Sequence, residues 1–218
     1  MNTFQSKGSS EIEEFVKSRG ILNLFHFTNV VNLNRIFFEG LRSRSYLDQA
    51  GTGFQYNDEH RFDNRRDYIS LSIEHPNSRM FSKYRHEEQS ANWAVIVIDA
   101  SVLWKKHCLF CKTNAACTSM SCLSENDLSS ANALASMFVD DGSRDSRRLM
   151  SCDPTDDQAE VLVKGVIESS FFRDVIFNNE NMYKAFKGQY PNGSFYYRKN
   201  NKSVFASRSY IREWNNQY

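Results

Sequence analysis

Apolar positions recur at helical spacing near the start of the chain. Ile12, Phe15 and Val16 fall at i, i+3 and i+4 and predict a helix over Ser10 to Arg19. Glu11, Glu13 and Glu14 occupy its early turns, where the helix dipole favours acids. Ile21 to Phe27 alternates enough for a strand. Asn29 to Glu39 returns to the helical period through Val31, Leu33, Ile36 and Phe37, with Asn29 as the expected cap and Gly40 as the stop. From Arg42 to Arg66 the pattern lapses. Gly51-Thr52-Gly53, Asn57-Asp58 and clustered charges predict a long loop with at most short helical turns.

The period-two pattern then dominates. Asp67 to Ile73 reads as a strand, Pro76 to Tyr84 as a turn entering a short helix, and Trp93 to Asp99 as a buried strand. Ser101 to Trp104 is a turn of helix, Cys108 to Phe110 a short strand, and Leu134 to Phe138 a modest helix inside the serine-rich stretch Ser124 to Asp141. Ala159 to Val166 and Val175 to Phe177 are strands separated by a turn near Ser169, and no internal repeat is present. This mixed order predicts an α+β fold, read as a single domain over residues 1–218 with a helix within 1–20.

A chain of 218 residues can bury a sizeable core, and 17 Phe and 10 Tyr against 9 Gly and 3 Pro mark a folded chain. No window has the apolar length of a membrane span, and Met1 to Gly20 lacks the apolar core of a signal peptide. A cytoplasmic protein without a membrane partner is expected. Five cysteines, an odd number, suit a reducing compartment. Cys108-x-x-Cys111, with Cys117 and Cys122 close by, raises a zinc reading. The second pair is unevenly spaced and only His107 is near, so no metal is expected.

The net charge of +1 makes no global case for nucleic acid. Locally, residues 181–218 carry seven Lys or Arg against the single acid Glu213, interleaved with aromatics such as Tyr196, Tyr210 and Trp214. Such a segment either holds a single strand by stacking and charge or packs its aromatics back on the core. Two polar intruders in apolar strands carry the candidate chemistry: His26 between Phe25 and Phe27, and Glu160 at the mouth of Val161-Leu162-Val163. Singly, the first is an ordinary core histidine and the second a solvated strand end. Together on one sheet they can grip a ribose and stabilise positive charge on its anomeric carbon, which points to chemistry on NAD.

The stretch from Phe25-His26-Phe27-Thr28-Asn29 to Glu39-Gly40-Leu41 resembles the opening motif of NAD-dependent ADP-ribosyltransferases, most strongly the DarT family of toxins that modify DNA bases. Tyr68-Ile69-Ser70-Leu71-Ser72-Ile73, Pro76-Asn77-Ser78-Arg79-Met80-Phe81, Trp93 to Asp99, Phe110 to Ala116 and Gln158 to Val163 are similar in turn, so ordered matches run from about Leu22 to Phe177. The resemblance implies an ADP-ribosyltransferase-like fold, with a central mixed or antiparallel split sheet and flanking helices. It implies NAD as co-substrate, single-stranded DNA as acceptor and an ADP-ribosyl hydrolase antitoxin as partner.

The resemblance also implies roles. His26 binds the ribose, the Phe27 backbone holds the nicotinamide amide, and Thr28, Asn34, Ser70, Met80 and Tyr84 belong to the cofactor site. Glu160 is the catalytic carboxylate. Arg61 is the active-site arginine, with Arg65 and Arg66 competing for that place. Read from the residues themselves, Tyr56 in the long loop, Asn114 after the Phe110 segment and Arg147 are candidates to meet the nucleic acid, and the Arg144, Arg147, Arg148 cluster is a candidate for phosphates. The family has thymine-modifying and guanine-modifying members, and the segments Tyr68 to Phe81 and Phe110 to Ala116 look more like the guanine branch. The rival readings are an enzyme of this chemistry acting on RNA or protein, and a nucleic-acid-binding module of the same fold without turnover.

Overall fold

Among the residues described by the computed structural model (7–49, 64–199 and 201–215), nine strands form. They are β1 (Asn23–Asn29), β2 (Leu41–Arg42), β3 (Tyr68–Ile73), β4 (Trp93–Asp99), β5 (Cys108–Cys111), β6 (Glu160–Lys164), β7 (Val166–Ile167), β8 (Phe172–Phe177) and β9 (Phe195–Tyr197). Seven build one mixed sheet in the order β5-β6-β3-β1-β4-β8-β9, while β2 and β7 form a separate ribbon. Only β8 and β9 run parallel. The expected α+β class is what forms.

β4 is apolar throughout because it lies inside the sheet with both faces covered. Ala94, Ile96 and Ile98 face one core, which receives Ile12 and Val16 from the helix Lys7–Arg19, Leu33 and Ile36 from Leu33–Glu39, and Phe186 from Glu180–Gln189. Trp93, Val95 and Val97 face the other, closed by Phe81 of the helix Ser78–Glu87 and by Val204 and Phe205. A fully buried side chain of this size contributes roughly 1.5–3 kcal/mol.

The expected Asn29 to Glu39 helix begins as a 3-10 turn, Val30–Asn32, and becomes α-helical at Leu33. Asn29 does cap it, its Oδ1 accepting from the Val31 N–H at 3.2 Å. Gly40 ends it at φ +82°, and a Cβ there would meet the Ile167 carbonyl oxygen at 2.8 Å. That close approach lets β2 pair with β7. The loop expected from Arg42 onward therefore begins with β2 and the helix Arg44–Gln49. Its remainder, 50–63, lies outside the described residues. Elements the periodicity did not show also form, among them the helix Glu180–Gln189, capped by Asn179, and the edge strand β9.

In the segments read as candidates for holding phosphate, several side chains are engaged within the fold. Asp153 is fully buried and takes a bidentate pair from Arg212 Nε and Nη2 at 2.7 and 2.6 Å. Arg144 donates to the carbonyls of Asp153 and Met150, and Arg147 donates to the carbonyl of Thr155. Most C-terminal aromatics pack inward, Phe186 and Phe195 beside Phe177 and Phe205 beside Phe81, which leaves Tyr196, Tyr210 and Trp214 exposed. Among the described residues no helix is long and apolar enough to cross a membrane.

His75 fastens the C-terminal segment to the end of β3, its Nε2–H donating to the Ala206 carbonyl at 3.0 Å. Burial pushes its pKa down to about 4, against the opposing pull of that bond. The unfolded imidazole titrates near ~6.5. The folded value lies below it, so the stabilisation is complete above the unfolded pKa and is lost as the pH falls toward the folded one. Between pH 7 and pH 4 this residue alone should remove on the order of 2–3 kcal/mol of stability. Urea unfolding of His75→Gln, whose amide can still donate, should show the acid-induced loss smaller by that amount.

Candidate active site

β3 is shared unequally between its two neighbours. It pairs with β6 through Tyr68–Leu71 but with β1 only through Ser72 and Ile73. β1 meanwhile follows β4 over all seven of its residues. The sheet therefore opens between the second half of β1 and the first half of β3. Backbone groups along such an opening lack ladder partners and need others. The Ser70 carbonyl has one in His26 Nδ1, at 3.0 Å. A carbonyl only accepts, so Nδ1 carries the proton and the tautomer is set.

Strand alternation decides what faces the opening. Tyr68, Ser70 and Ser72 of β3 point to the same side of the sheet as Glu160 and Leu162 of β6 and Phe25 and Phe27 of β1. Two apolar clusters stand on this side, one around Phe25, Phe81 and Trp93, the other around Tyr68, Leu109 and Leu162. Between them Ser70, Ser72 and Glu160 make a polar floor. The cleft is open at its mouth and encloses a cavity volume of about 190 Å³.

Glu160, the first residue of β6, is 5% exposed, and its Oε2 accepts from the Ala115 N–H at 2.9 Å. Over the floor lies the helix Ser78–Glu87, which turns Asn77, Met80 and Tyr84 to the cleft. Phe27 stacks on Phe81 with ring centroids 4.5 Å apart. Thr28 is buried and accepts from Asn32 Nδ2 at 3.1 Å. Arg35, Arg42 and Arg44 line the cleft with one carboxylate among them, Glu39, which pairs with Arg35 at 2.9 Å and Arg42 at 3.4 Å. Among the described residues this wall carries three guanidinium groups and one acid, groups of the kind that bind a diphosphate. Polar floor, aromatic walls and cationic side together fit an NAD molecule.

His26, Phe27, Thr28, Ser70, Met80, Tyr84, Asn114 and Glu160 are thus brought together. Asn34 is not. On its helix Arg35 and Ile36 face the cleft, and Asn34, one residue earlier and about 100° around the axis, takes a hydrogen bond from the Tyr190 hydroxyl at 3.0 Å outside it. Arg147 is also elsewhere, on the Thr155 carbonyl. Arg61 and Tyr56 lie outside the described residues. Arg65 donates to the Leu123 carbonyl and Arg66 pairs with Asp48, and neither lines the cleft. Sequence reasoning missed Arg35, Arg42, Arg44, Ser72 and Asn77. Ser72 was within reach, since it shares its parity with Ser70.

Cys108 and Cys111 cannot converge on one ion, because they sit in different cores on opposite faces of β5. Among the described residues no group of three candidate metal ligands occurs.

A family profile described as "ssDNA thymidine ADP-ribosyltransferase, DarT" matches residues 25–204. The chain belongs to the DarT family. It is thereby classed with NAD-dependent enzymes that ADP-ribosylate single-stranded DNA. Among solved structures, Thermus sp. 2.9 DarT in complex with ADP-ribosylated ssDNA is 16% identical, with a TM-score of 0.57 over 81% of this chain and 94% of that one. The same protein in complex with carba-NAD+ gives 15% and 0.50 over 81% and 95%. Thermosipho africanus DarTG in complex with ADP-ribose gives 11% and 0.54 over 82% of this chain and 50% of that one, so the chain spans half the length of that relative. At such identities the likeness carries the fold. No curated protein matches in a sequence search.

The contrast between neighbours on one helix can be measured. Arg35→Ala should raise the KM for NAD roughly ten- to a hundredfold, the scale of a charge-assisted hydrogen bond. Asn34→Ala should leave it within about twofold by the same reckoning, read as nicotinamide release at varied NAD.

Proposed function

We propose that this DarT-family chain transfers ADP-ribose from NAD to a nucleobase of single-stranded DNA, as the toxin of a toxin–antitoxin pair. The observation that carries the reading is the buried Glu160 carboxylate, held by the Ala115 N–H on the floor of the split that His26 borders. In this reading Glu160 accepts from the 2′-hydroxyl of the nicotinamide ribose and offsets the positive charge that grows on C1′ as the bond to nicotinamide breaks. The electron pair of that bond leaves with nicotinamide, which departs neutral. A nitrogen of the base supplies the pair for the new bond to C1′ and gives its proton to solvent.

The other groups position the reactants. His26, its tautomer set by the Ser70 carbonyl, and Thr28 hold the ribose. The Phe27 backbone reads the carboxamide, Tyr84 covers the ring, and Arg35, Arg42 and Arg44 face the diphosphate. Arg61 contributes charge, not a base, since a guanidinium does not give up its proton near neutral pH. Asn114, next to the Ala115 that orients Glu160, meets the incoming base together with Tyr56. A base edge inside a duplex cannot reach such a cleft, so the acceptor is single-stranded or flipped out.

Support for DNA comes from the family description and from Thermus DarT in complex with ADP-ribosylated ssDNA. The family description names thymidine, while the segments Tyr68 to Phe81 and Phe110 to Ala116 resemble the guanine branch, so thymine and guanine are the two bases to test. The proposed partner is an ADP-ribosyl hydrolase antitoxin acting in the same cytoplasm.

Labelled NAD offered with thymine-only and guanine-containing oligonucleotides, a duplex, RNA and protein tests the assignment. Label should appear on one of the single-stranded DNAs. Glu160→Gln should lower both transfer and nicotinamide release by roughly a hundred- to a thousandfold. Label confined to RNA or protein, or a Glu160→Gln variant as active as wild type, would overturn the reading.

A further inference from the structure

Asn77 holds a buried donor that the fold itself does not use. The residue is 2% exposed, lines the cleft, and caps the helix Ser78–Glu87. Its backbone N–H donates to Ser72 Oγ at 3.0 Å, and its Oδ1 accepts from the Met80 N–H at 3.1 Å. That second bond settles which way the amide points. Met80 N–H needs an acceptor, so the oxygen and nitrogen of the side chain cannot be interchanged. The NH2 group is left on the other side, shut off from water and without a hydrogen-bond partner among the described residues. Buried polar groups are nearly always satisfied, and a group left over at a ligand cleft calls for a ligand atom.

Its place in the cleft says which atom. Ser72, the neighbour of Asn77, is where β1 and β3 still pair, so Asn77 marks the closed end of the split. The three arginines belong to the side formed by the helix Leu33–Glu39 and the chain that follows it. A diphosphate drawn to those cations leaves the flat, positively charged nicotinamide ring of NAD to the closed end, away from the arginines, where Phe25, Phe27 and Tyr84 supply aromatic surface that favours a cation. With Oδ1 committed to the helix cap, Asn77 offers donors only.

We propose that the Asn77 amide donates a hydrogen bond to the carboxamide oxygen of nicotinamide, which makes Asn77 a binding residue for the leaving group. The assignment rests on the reading of NAD as co-substrate. The carbonyl is the acceptor of the carboxamide, so a donor-only partner fixes the rotation of that group and with it the face of the ring. Met80, unbranched and half-buried beside it, yields to admit the ring.

Capping and ligand binding can be separated, because Ser and Asp both supply a cap acceptor and both lack the NH2 group. Asn77→Ser and Asn77→Asp are compared with wild type in three measurements. These are product inhibition by nicotinamide, binding of ADP-ribose, and the thermal unfolding midpoint. Nicotinamide is neutral, so the charge of the Asp variant does not assist its binding. The inhibition constant for nicotinamide should rise roughly three- to tenfold in both variants. ADP-ribose, which lacks the carboxamide, should bind Asn77→Ser within about twofold of wild type, and the unfolding midpoint should hold in that variant, where the cap survives, while the buried carboxylate of Asn77→Asp lowers it. Unchanged nicotinamide inhibition in both variants, or ADP-ribose weakened as much as nicotinamide in Asn77→Ser, would overturn the Asn77 assignment and leave the NAD reading standing. A wild-type chain that neither releases nicotinamide from NAD nor binds ADP-ribose would sink both.

Discussion

A single strand with two partners is the constraint on which the rest of this structure depends. β3 gives one edge to β6 for most of its length and the other to β1 for two residues. β1 cannot close the gap, because β4 holds it in register from end to end. The sheet thus behaves as two half-sheets joined at Leu24–Phe25 and Ser72–Ile73. An opening of this kind exposes backbone groups that would otherwise sit in a ladder, and buried backbone groups must find partners. His26 supplies one with its ring, so the histidine that borders the candidate site also props the split open.

Several other contacts carry structural and functional consequences together. The Ala115 N–H orients Glu160 and so ties the carboxylate to the turn after β5, which also presents Asn114. Asn77 caps a helix with one arm of its amide and turns the other to the cleft. Gly40 lets the chain pass close under the Ile167 carbonyl, and the ribbon of β2 and β7 brings Arg42 to the cleft. Opposite in character is the buried pair of Asp153 and Arg212. Its two short hydrogen bonds hold the C-terminal helix Arg208–Asn215 against the loop before β6. A buried carboxylate without its guanidinium would be costly, which is reason enough for those arginines to be where they are.

The elements legible in the chain were those whose burial is one-sided or complete. β4 reads as an apolar run because it is covered on both faces, and the helix ending at Gly40 reads through its period and its stop. Asn34 shows the limit of a motif. Its stretch resembles the family's opening segment, yet one step along a helix is about 100°, and the turn leaves Asn34 with Tyr190 while Arg35 meets the cleft. The C-terminal aromatics were equally ambiguous. Phe195 and Phe205 pack inward while Tyr196 and Trp214 stay exposed, and composition cannot sort them.

By itself the sequence determined the local character of the pieces: which stretches alternate, which repeat every three to four residues, and which polar residues interrupt them. Those properties arise from backbone geometry and from the aversion of apolar side chains to water, both of which act within a few residues. It also carried the ordered motifs that place the chain in its family. Only the tertiary structure decided that β3 would divide its pairing, that Glu160 and His26 would border one opening, and that three arginines and Asn77 would join them. Those outcomes depend on which strands compete for the same backbone groups across more than a hundred residues of intervening chain, and a period read along the chain contains no term for that competition.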